Sequence, residues 1–222
     1  MIEVGRRGDF SIGILGPEDA TRELALDIMR TQGNAYVHRF PDLPPQDILD
    51  AQEADYRTPN EGHVLATIDN ITKVSEEDHW HWGVAMLGKR AVSFALFIAE
   101  DDGPITDGID EINLAELHTH PEVQQQGLAS IVALAALRRV RQLEQCDDST
   151  PTTLLVARQH PEDENEHPYA LYRRLTFKPA GRDGSYNFGK HSVPAWRMDT
   201  TLGALDAALS RRVDIDLRVL TS

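Results

Sequence analysis

The stretch LHTHPEVQQQGLAS, Leu117 to Ser130, contains two patterns that predict different chemistry. Its first half has two histidines separated by one residue, a spacing that suits a metal ion when both side chains leave a strand on the same side. Its second half has the pattern Q-x-x-G-x-A between an apolar run and a helix-like run. At such a junction the first backbone N–H groups of the helix lack partners and favour an anion. The stretch therefore predicts either a metal site or a phosphate site.

The metal interpretation depends on the segment HTHP, His118 to Pro121, which resembles the histidine pair of the JAMM metalloproteases. In that family a serine and then the third ligand, an aspartate, follow the proline. The corresponding positions here are Leu128 and Ile131, which cannot bind zinc. No other histidine has a spacing that completes a site, so we expect no metal.

The phosphate interpretation depends on Gln124, Gly127 and Ala129. These residues lie between an apolar run at 112–119, typical of a strand, and a helical pattern from about residue 127. Small side chains at Gly127 and Ala129 would let a pyrophosphate approach the backbone closely. We therefore expect the second half of the stretch to bind phosphate.

Strand and helix patterns alternate on both sides of this stretch, which is typical of an α/β domain. Seven runs predict strands, at 10–15, 82–87, 91–100, 112–119, 152–158, 185–189 and 195–199. Helical patterns cover 16–31, 45–55, 127–145, 168–175 and 201–212. The sequence thus predicts one α/β domain around a mixed sheet, followed by a C-terminal extension.

Composition limits the partners of the chain. The 222 residues include 22 Lys and Arg against 36 Asp and Glu, a net charge of −14, which is unfavourable for binding nucleic acid. The N-terminus has no apolar core of signal-peptide length, and no apolar run approaches the roughly 18 residues of a membrane span. The single cysteine, Cys146, fits a reducing compartment. We expect a cytoplasmic protein without nucleic-acid or membrane partners.

A second motif lies about forty residues downstream of the first. The segment NEHPYALYRRLTFKPAG is similar to N-x-x-x-x-x-L-Y-x-x-x-G-F through Asn165, Leu171, Tyr172 and Phe177, with Thr176 where glycine is usual. With Gln124 to Ala129, this motif resembles the two hallmarks of the GNAT superfamily of acetyl-CoA-dependent N-acetyltransferases. The resemblance covers roughly residues 83–180 and, by element order, 9–32; it does not extend to 201–222.

The resemblance implies a fold and a domain organisation. It implies an α/β fold with a GNAT-like mixed, mostly antiparallel central sheet flanked by helices, and a V-shaped split between strands four and five. Residues 1–200 would form the acetyltransferase domain. Residues 201–222 would form a helix-strand extension that packs on the same domain or on a partner subunit.

The resemblance also implies acetyl-CoA as cosubstrate. Its pyrophosphate would lie on the helix N-terminus, and its pantetheine arm would bond to strand backbone near Leu117 and Thr119. Asn165 would touch the cofactor arm, although a loop or helix cap explains this residue equally well. The residues expected to bind the cosubstrate are Leu117, Thr119, Gln124, Gln125, Gln126, Gly127, Leu128, Ala129, Ser130 and Asn165.

Three residues are candidates for proton transfer. Tyr172 matches the family tyrosine that would protonate departing CoA; alternatively its ring packs in the core. Glu116 and His118 share one face of strand four, so either could accept the proton of the amine, with Glu116 ranked first, and ordered water is a third option. Asn113 faces the other side unless the strand has a bulge.

The implied reaction is transfer of an acetyl group to a primary amine of a small molecule or peptide. The alternative is a non-catalytic acyl-CoA-binding module that has kept the fold. Residues 31–82 and the region from Tyr186 to Trp196 should determine the substrate. In the segment EEDHWHWG, acids with Trp80 and Trp82 could hold a cation, or they could be ordinary surface and core. The apolar alternation at 213–220 could add a strand or pair two subunits in a homodimer.

Overall fold

The computed structural model describes residues 1–51, 61–73, 79–100, 109–144, 146–160 and 162–217. Its centre is an eight-stranded sheet with the order β1-β2-β3-β4-β5-β6-β8-β7. All neighbouring strands are antiparallel except β5 and β6, which are parallel. The strands are β1 Ile2–Arg7, β2 Phe10–Ile14, β3 Trp80–Leu87, β4 Arg90–Glu100, β5 Glu111–Thr119, β6 Pro151–Ala157, β7 Lys178–Phe188 and β8 His191–Thr201.

Six α-helices connect and cover the strands in the described part of the chain. They are α1 Arg22–Arg39, α2 Pro45–Ala51, α3 Glu61–Thr72, α4 Leu128–Leu143, α5 Tyr169–Arg174 and α6 Leu202–Ser210. This arrangement confirms the predicted mixed, mostly antiparallel sheet flanked by helices. None of these helices is long and apolar enough to cross a membrane.

Several boundaries differ from the sequence-based expectation. The strand β1 and the helix α3 were not predicted, so the predicted fourth and fifth strands are β5 and β6. The first helix begins at Arg22 because Pro17–Asp19 form a separate 3-10 turn and the Thr21 hydroxyl accepts a hydrogen bond from the Leu24 amide, which caps the helix. The helix then continues to Arg39, well beyond the predicted end at residue 31.

The two faces of the sheet have separate cores. On one face, α4 packs on β2 to β5, and α6 contacts both α4 and β8. On the other face, α1 packs on β4 and β5, with α3 beside it. The contact between α4 and β3 is unusually close at Gly83. A Cβ atom added there would lie 2.2 Å from the carbonyl oxygen of Val132. The helix therefore lies directly on the strand, and only glycine allows this approach.

The sheet opens between β5 and β6. These two strands pair only at Ile112 with Thr152 and at Asn113 with Thr153, whereas β6 continues to Ala157 and β5 to Thr119. Beyond Asn113 the strands diverge, so the β6-facing backbone edge of β5 has no strand partner among the described residues. This is the V-shaped split that was expected between strands four and five.

The C-terminal segment packs against its own chain. After α6, the residues Val213 and Ile215 pack against the α4 core and Leu217 is buried in it, while Arg138 donates a hydrogen bond to the Leu217 carbonyl at 3.2 Å. Residues 211–217 form no strand in the structure, and the rest of the predicted strand, 218–220, lies outside the described residues. The apolar alternation up to Leu217 is thus accounted for within one chain, and the homodimer stays a prediction.

Candidate functional site

The loop between β5 and α4 has a backbone that suits an anion. Gln125 (φ 64°) and Gly127 (φ 76°) adopt left-handed conformations, and Gly127 is the N-cap of α4 without a side-chain cap. Alternation of left-handed with ordinary residues turns successive N–H groups towards one point. No acceptor among the described residues is found for the amides from Gln125 to Ser130. We call these six residues the amide cradle.

A cation lies beside the amide cradle. A Cβ atom added to Gly127 would lie 3.5 Å from Nη1 of Arg7, at the end of β1. The same Nη1 donates to Asp214 Oδ1 at 2.5 Å, which ties the C-terminal segment to β1 beside this loop. The sequence offered no signal for Arg7, because neither β1 nor its position next to α4 was predicted.

The side chains of the other predicted cofactor residues have structural contacts. Gln124 donates to the Thr119 carbonyl at 3.2 Å, and the Thr119 hydroxyl lies 2.8 Å from that of Ser93. Leu117 packs on the α4 core, and Leu128 is buried in it. Any binding by these residues would therefore use the backbone. Asn165 is exposed, in the loop before α5.

A bulge in β5 determines which side chains face α1. Leu96 of β4 opposes Glu116, whereas the next residue, Phe97, opposes Leu114, so Ala115 is an extra residue. The bulge shifts the alternation and places Asn113, Glu116 and His118 on one face of the sheet. The sequence predicted that Asn113 would face the other side unless this strand had a bulge, and the bulge is present.

Glu116 and His118 form a pair on this face. His118 Nε2 lies 2.6 Å from Glu116 Oε2, and Gln32 of α1 donates to Glu116 Oε1 at 3.4 Å. The Glu116 side chain keeps 31% of its surface exposed, while that of His118 keeps only 10%. The His118 ring lies against Tyr36 and Phe94, at centroid distances of 5.1 and 5.3 Å. Glu116 is therefore the accessible member of the pair.

Tyr172 lies across the split, on α5. Its ring is buried and meets Phe177 edge to face at 6.0 Å, so the packing role considered from the sequence is real. Burial raises the pKa of Tyr172 to about 12, with Arg39 opposing and Tyr186 and Glu116 adding to the increase. No hydrogen bond to its hydroxyl is found among the described residues, and the Glu116 carboxylate is near enough to affect it. The packing leaves the hydroxyl able to serve as a proton donor.

Three further residues lie near Tyr172 and Glu116, and the sequence did not single them out individually. Tyr36 and Arg39 come from α1, and Tyr186 comes from β7. Burial and then the Glu116 carboxylate raise the pKa of both tyrosines. All three lie within the regions expected to determine the substrate, but only the length of α1 explains how Tyr36 and Arg39 reach the split.

The segment EEDHWHWG contributes mainly to packing where it is described. Trp82 is buried with Phe94 at 5.7 Å and donates to the Asn70 carbonyl, while Lys73 lies 5.4 Å above the Trp80 ring. Glu76, Glu77 and Asp78 lie outside the described residues. Within the described ranges, no three His, Cys, Asp or Glu side chains are grouped to hold a metal ion.

Solved structures of acetyltransferases share this architecture. No protein-family model and no curated protein sequence matches the chain. The PaiA N-acetyltransferase of Thermoplasma acidophilum, solved with coenzyme A, matches with a TM-score of 0.60 at 14% identity, over 86% of this chain and 99% of that chain.

Two further enzymes agree with this match. A probable GNAT-family acetyltransferase from Chromobacterium violaceum matches with a TM-score of 0.53 at 12% identity, over 93% of this chain and 95% of that chain. The ribosomal-protein-S18-alanine N-acetyltransferase of Escherichia coli matches with a TM-score of 0.52 at 14% identity, over 87% and 94%. The sheet order, the split and these matches confirm the resemblance at the level of the fold: the chain has the fold of the GNAT acetyltransferases.

Proposed function

We propose that the protein transfers an acetyl group from acetyl-CoA to a primary amine. One observation carries the proposal: the split between β5 and β6 has, at its α4 end, amides without a partner among the described residues. The Glu116–His118 pair and Tyr172 lie along its sides. The relative from Thermoplasma acidophilum, solved with coenzyme A, supports the same type of ligand.

The amide cradle fits a diphosphate. Left-handed backbone at Gln125 and Gly127 directs N–H groups outward, and the positive end of the α4 dipole lies behind them. Arg7 would add a positive charge at 3.5 Å from the Cβ position of Gly127. The unpaired edge of β5 from Leu117 to Thr119 would bond to the pantetheine amides.

Proton transfers follow from the same geometry. Bound acetyl-CoA would supply a thioester whose carbonyl carbon bonds to the amine nitrogen as the C–S bond breaks. Glu116, held by Gln32 and His118, would take the proton that the amine loses, directly or through water. Tyr172 would give its proton to the departing sulfur. Proximity in the split would supply much of the remaining rate enhancement.

The test is release of free thiol from acetyl-CoA in the presence of a panel of amines, with acetylated product identified by mass spectrometry. We expect amine-dependent thiol release at a rate that saturates with acetyl-CoA. Tight CoA binding without turnover on any amine would instead support the non-catalytic acyl-CoA-binding module. Absence of CoA binding would exclude both functions.

A further inference from the structure

Arg39 is a half-buried cation with an enclosed Nε atom, and it has no carboxylate partner in the described part of the chain. It lies in the last turn of α1, and its Nη2 donates to the carbonyl of Ala157 at the end of β6. Its Nε is buried and has no hydrogen-bond partner, and no carboxylate of the described residues lies within ion-pairing distance of the guanidinium. The Glu166 carboxylate, which is near, accepts from the amides of Gln159 and His160 instead.

An unpaired buried charge is costly, so its retention needs a reason. Taking a cation out of water with one carbonyl and no anion as its hydrogen-bond partner is unfavourable. Burial accordingly lowers the pKa of Arg39. Charged groups in strained environments of this kind are concentrated at functional sites, where a ligand supplies the missing partner. The missing partner here is an anion.

The position of Arg39 indicates which ligand brings the anion. Gln32, Tyr36 and Arg39 are spaced i, i+4 and i+7, so they share one face of α1. Gln32 contacts Glu116, and the Tyr36 ring lies 5.1 Å from that of His118. Two helical turns, about 10 Å along the axis, separate Gln32 from Arg39. The Glu116 carboxylate, beside Gln32, and the Arg39 guanidinium therefore lie near opposite ends of one helix face.

The surroundings of Arg39 belong to the acceptor half of the split. Its guanidinium lies 4.9 Å above the Phe40 ring, in the apolar cluster that joins α1 and α2 to β7 and β8. The amide cradle is formed by different elements, the β5–α4 loop together with β1. An anion at Arg39 would therefore come from the amine acceptor.

We propose that the acceptor is an aminocarboxylate: Glu116 holds its ammonium group and Arg39 binds its carboxylate. The proposal rests on the acetyltransferase function and narrows its substrate class. The guanidinium has a planar fork of donors that matches a carboxylate, and its Nε is free to form one arm of that pair.

Matched pairs of amines test the proposal. Each pair differs by one carboxylate: L-lysine and cadaverine, γ-aminobutyrate and propylamine, glycine and methylamine. We expect the wild-type protein to prefer the acid in kcat/KM in at least one pair. Arg39→Met should reduce that preference about 10- to 100-fold, the equivalent of one hydrogen-bonded charge. Arg22→Met, the same change at the exposed start of α1, should leave it intact.

Stability separates this role from a structural one. Because an unpaired buried charge is removed, Arg39→Met should keep or raise the melting temperature of the ligand-free protein. A lower melting temperature with unchanged preference would show that Arg39 only links α1 to Ala157, and would overturn the proposal. An equal loss of kcat on both members of each pair would also overturn it, since Arg39 would then serve the transfer step.

The remaining outcomes distinguish this inference from the proposed function. Thiol release with every amine but no preference for an acid would refute the aminocarboxylate and leave acetyl transfer standing. Failure of all three acids to bind the CoA-loaded protein in calorimetric titration would do the same. Failure of CoA itself to bind would refute the acetyltransferase.

Discussion

Tyr172 combines a position in the core with the proton-donor role that we propose for it. Its ring packs against Phe177, which fixes the direction of the hydroxyl, and the hydroxyl has no protein partner in the described part of the chain. The sequence predicted the residue through the motif around it. It could not predict the neighbours Tyr36 and Arg39, because these depend on α1 continuing past residue 31.

Tyr172→Phe tests the acid role. The substitution keeps the ring and its packing, so the KM for acetyl-CoA should change little. General acid catalysis contributes about 10²–10⁴-fold, and a thiol is a good leaving group, so kcat should fall towards the lower end of that range. Steady-state kinetics with one amine that the wild-type protein acetylates gives both kcat and the KM for acetyl-CoA. A variant that retains more than about half of the wild-type kcat would place Tyr172 in the core alone.

The raised pKa of Tyr172 makes a separate prediction. With a pKa of about 12 instead of the ordinary 10, the folded protein keeps the tyrosine proton as the pH rises through 10. The wild-type kcat should therefore not fall around pH 10 through this group. A pH–rate profile of wild type beside Tyr172→Phe is the measurement. A descending limb near pH 10 that is present in wild type and absent from the variant would be evidence against the raised pKa.

At the scale of elements, the β5–α4 connection and the close contact of α4 with β3 position the site. The Q-x-x-G-x-A pattern predicted the connection, because glycine spacing and the strand–helix change are visible in the sequence. The bulge at Ala115 could be named from the sequence only as a possibility that would turn Asn113 to the other face. Its presence and position depend on the pairing of β5 with β4. Arg7 and β1 were missed because a short edge strand with an irregular register has a weak alternation signal.

Gly127→Glu tests the amide cradle. The new side chain would bring bulk and negative charge to the place where a diphosphate would lie, so CoA affinity should fall more than about 100-fold. Gly127→Asn is the matched control, because asparagine tolerates the left-handed conformation without adding a charge. The CoA affinity of Gly127→Asn should lie between those of the wild-type protein and Gly127→Glu. Calorimetric titration of folded protein with CoA gives these values, and wild-type affinity in Gly127→Glu would rule out phosphate binding by this loop.

Gly83→Ala tests the contact of α4 with the sheet. Because the added methyl group would lie 2.2 Å from the Val132 carbonyl, α4 must shift, and overpacking of this kind costs about 1–3 kcal/mol of unfolding free energy. Gly88→Asn is the control: apart from its chain neighbours, no described residue lies within 4 Å of its Cβ position, and asparagine suits its positive φ. Urea denaturation should show a loss for the first variant only. Equal stability of Gly83→Ala and wild type would show that α4 is not held against β3.

At the scale of the whole molecule, the mixed, mostly antiparallel sheet and the split were predicted through the family resemblance, which depends on element order and on two motifs at a fixed distance. The proposed acceptor site did not follow, since its residues come from three distant stretches that only tertiary packing brings together: Tyr36 with Arg39, Glu116, and Tyr186. Thr176 illustrates the limit of motif matching. It adopts φ 73° in place of the usual glycine, and its hydroxyl lies 2.8 Å from that of Thr200.

The central claim is that the opening between β5 and β6 binds acetyl-CoA along its length. Titration of the isotope-labelled protein with CoA, followed by backbone amide NMR signals, tests this claim most directly. We predict large shifts for the amides from Gln125 to Ser130 and for Leu117 to Thr119, with small shifts around Leu143, at the other end of α4. Saturating CoA that leaves the amide cradle unchanged, or that shifts signals only on another surface, would contradict the account.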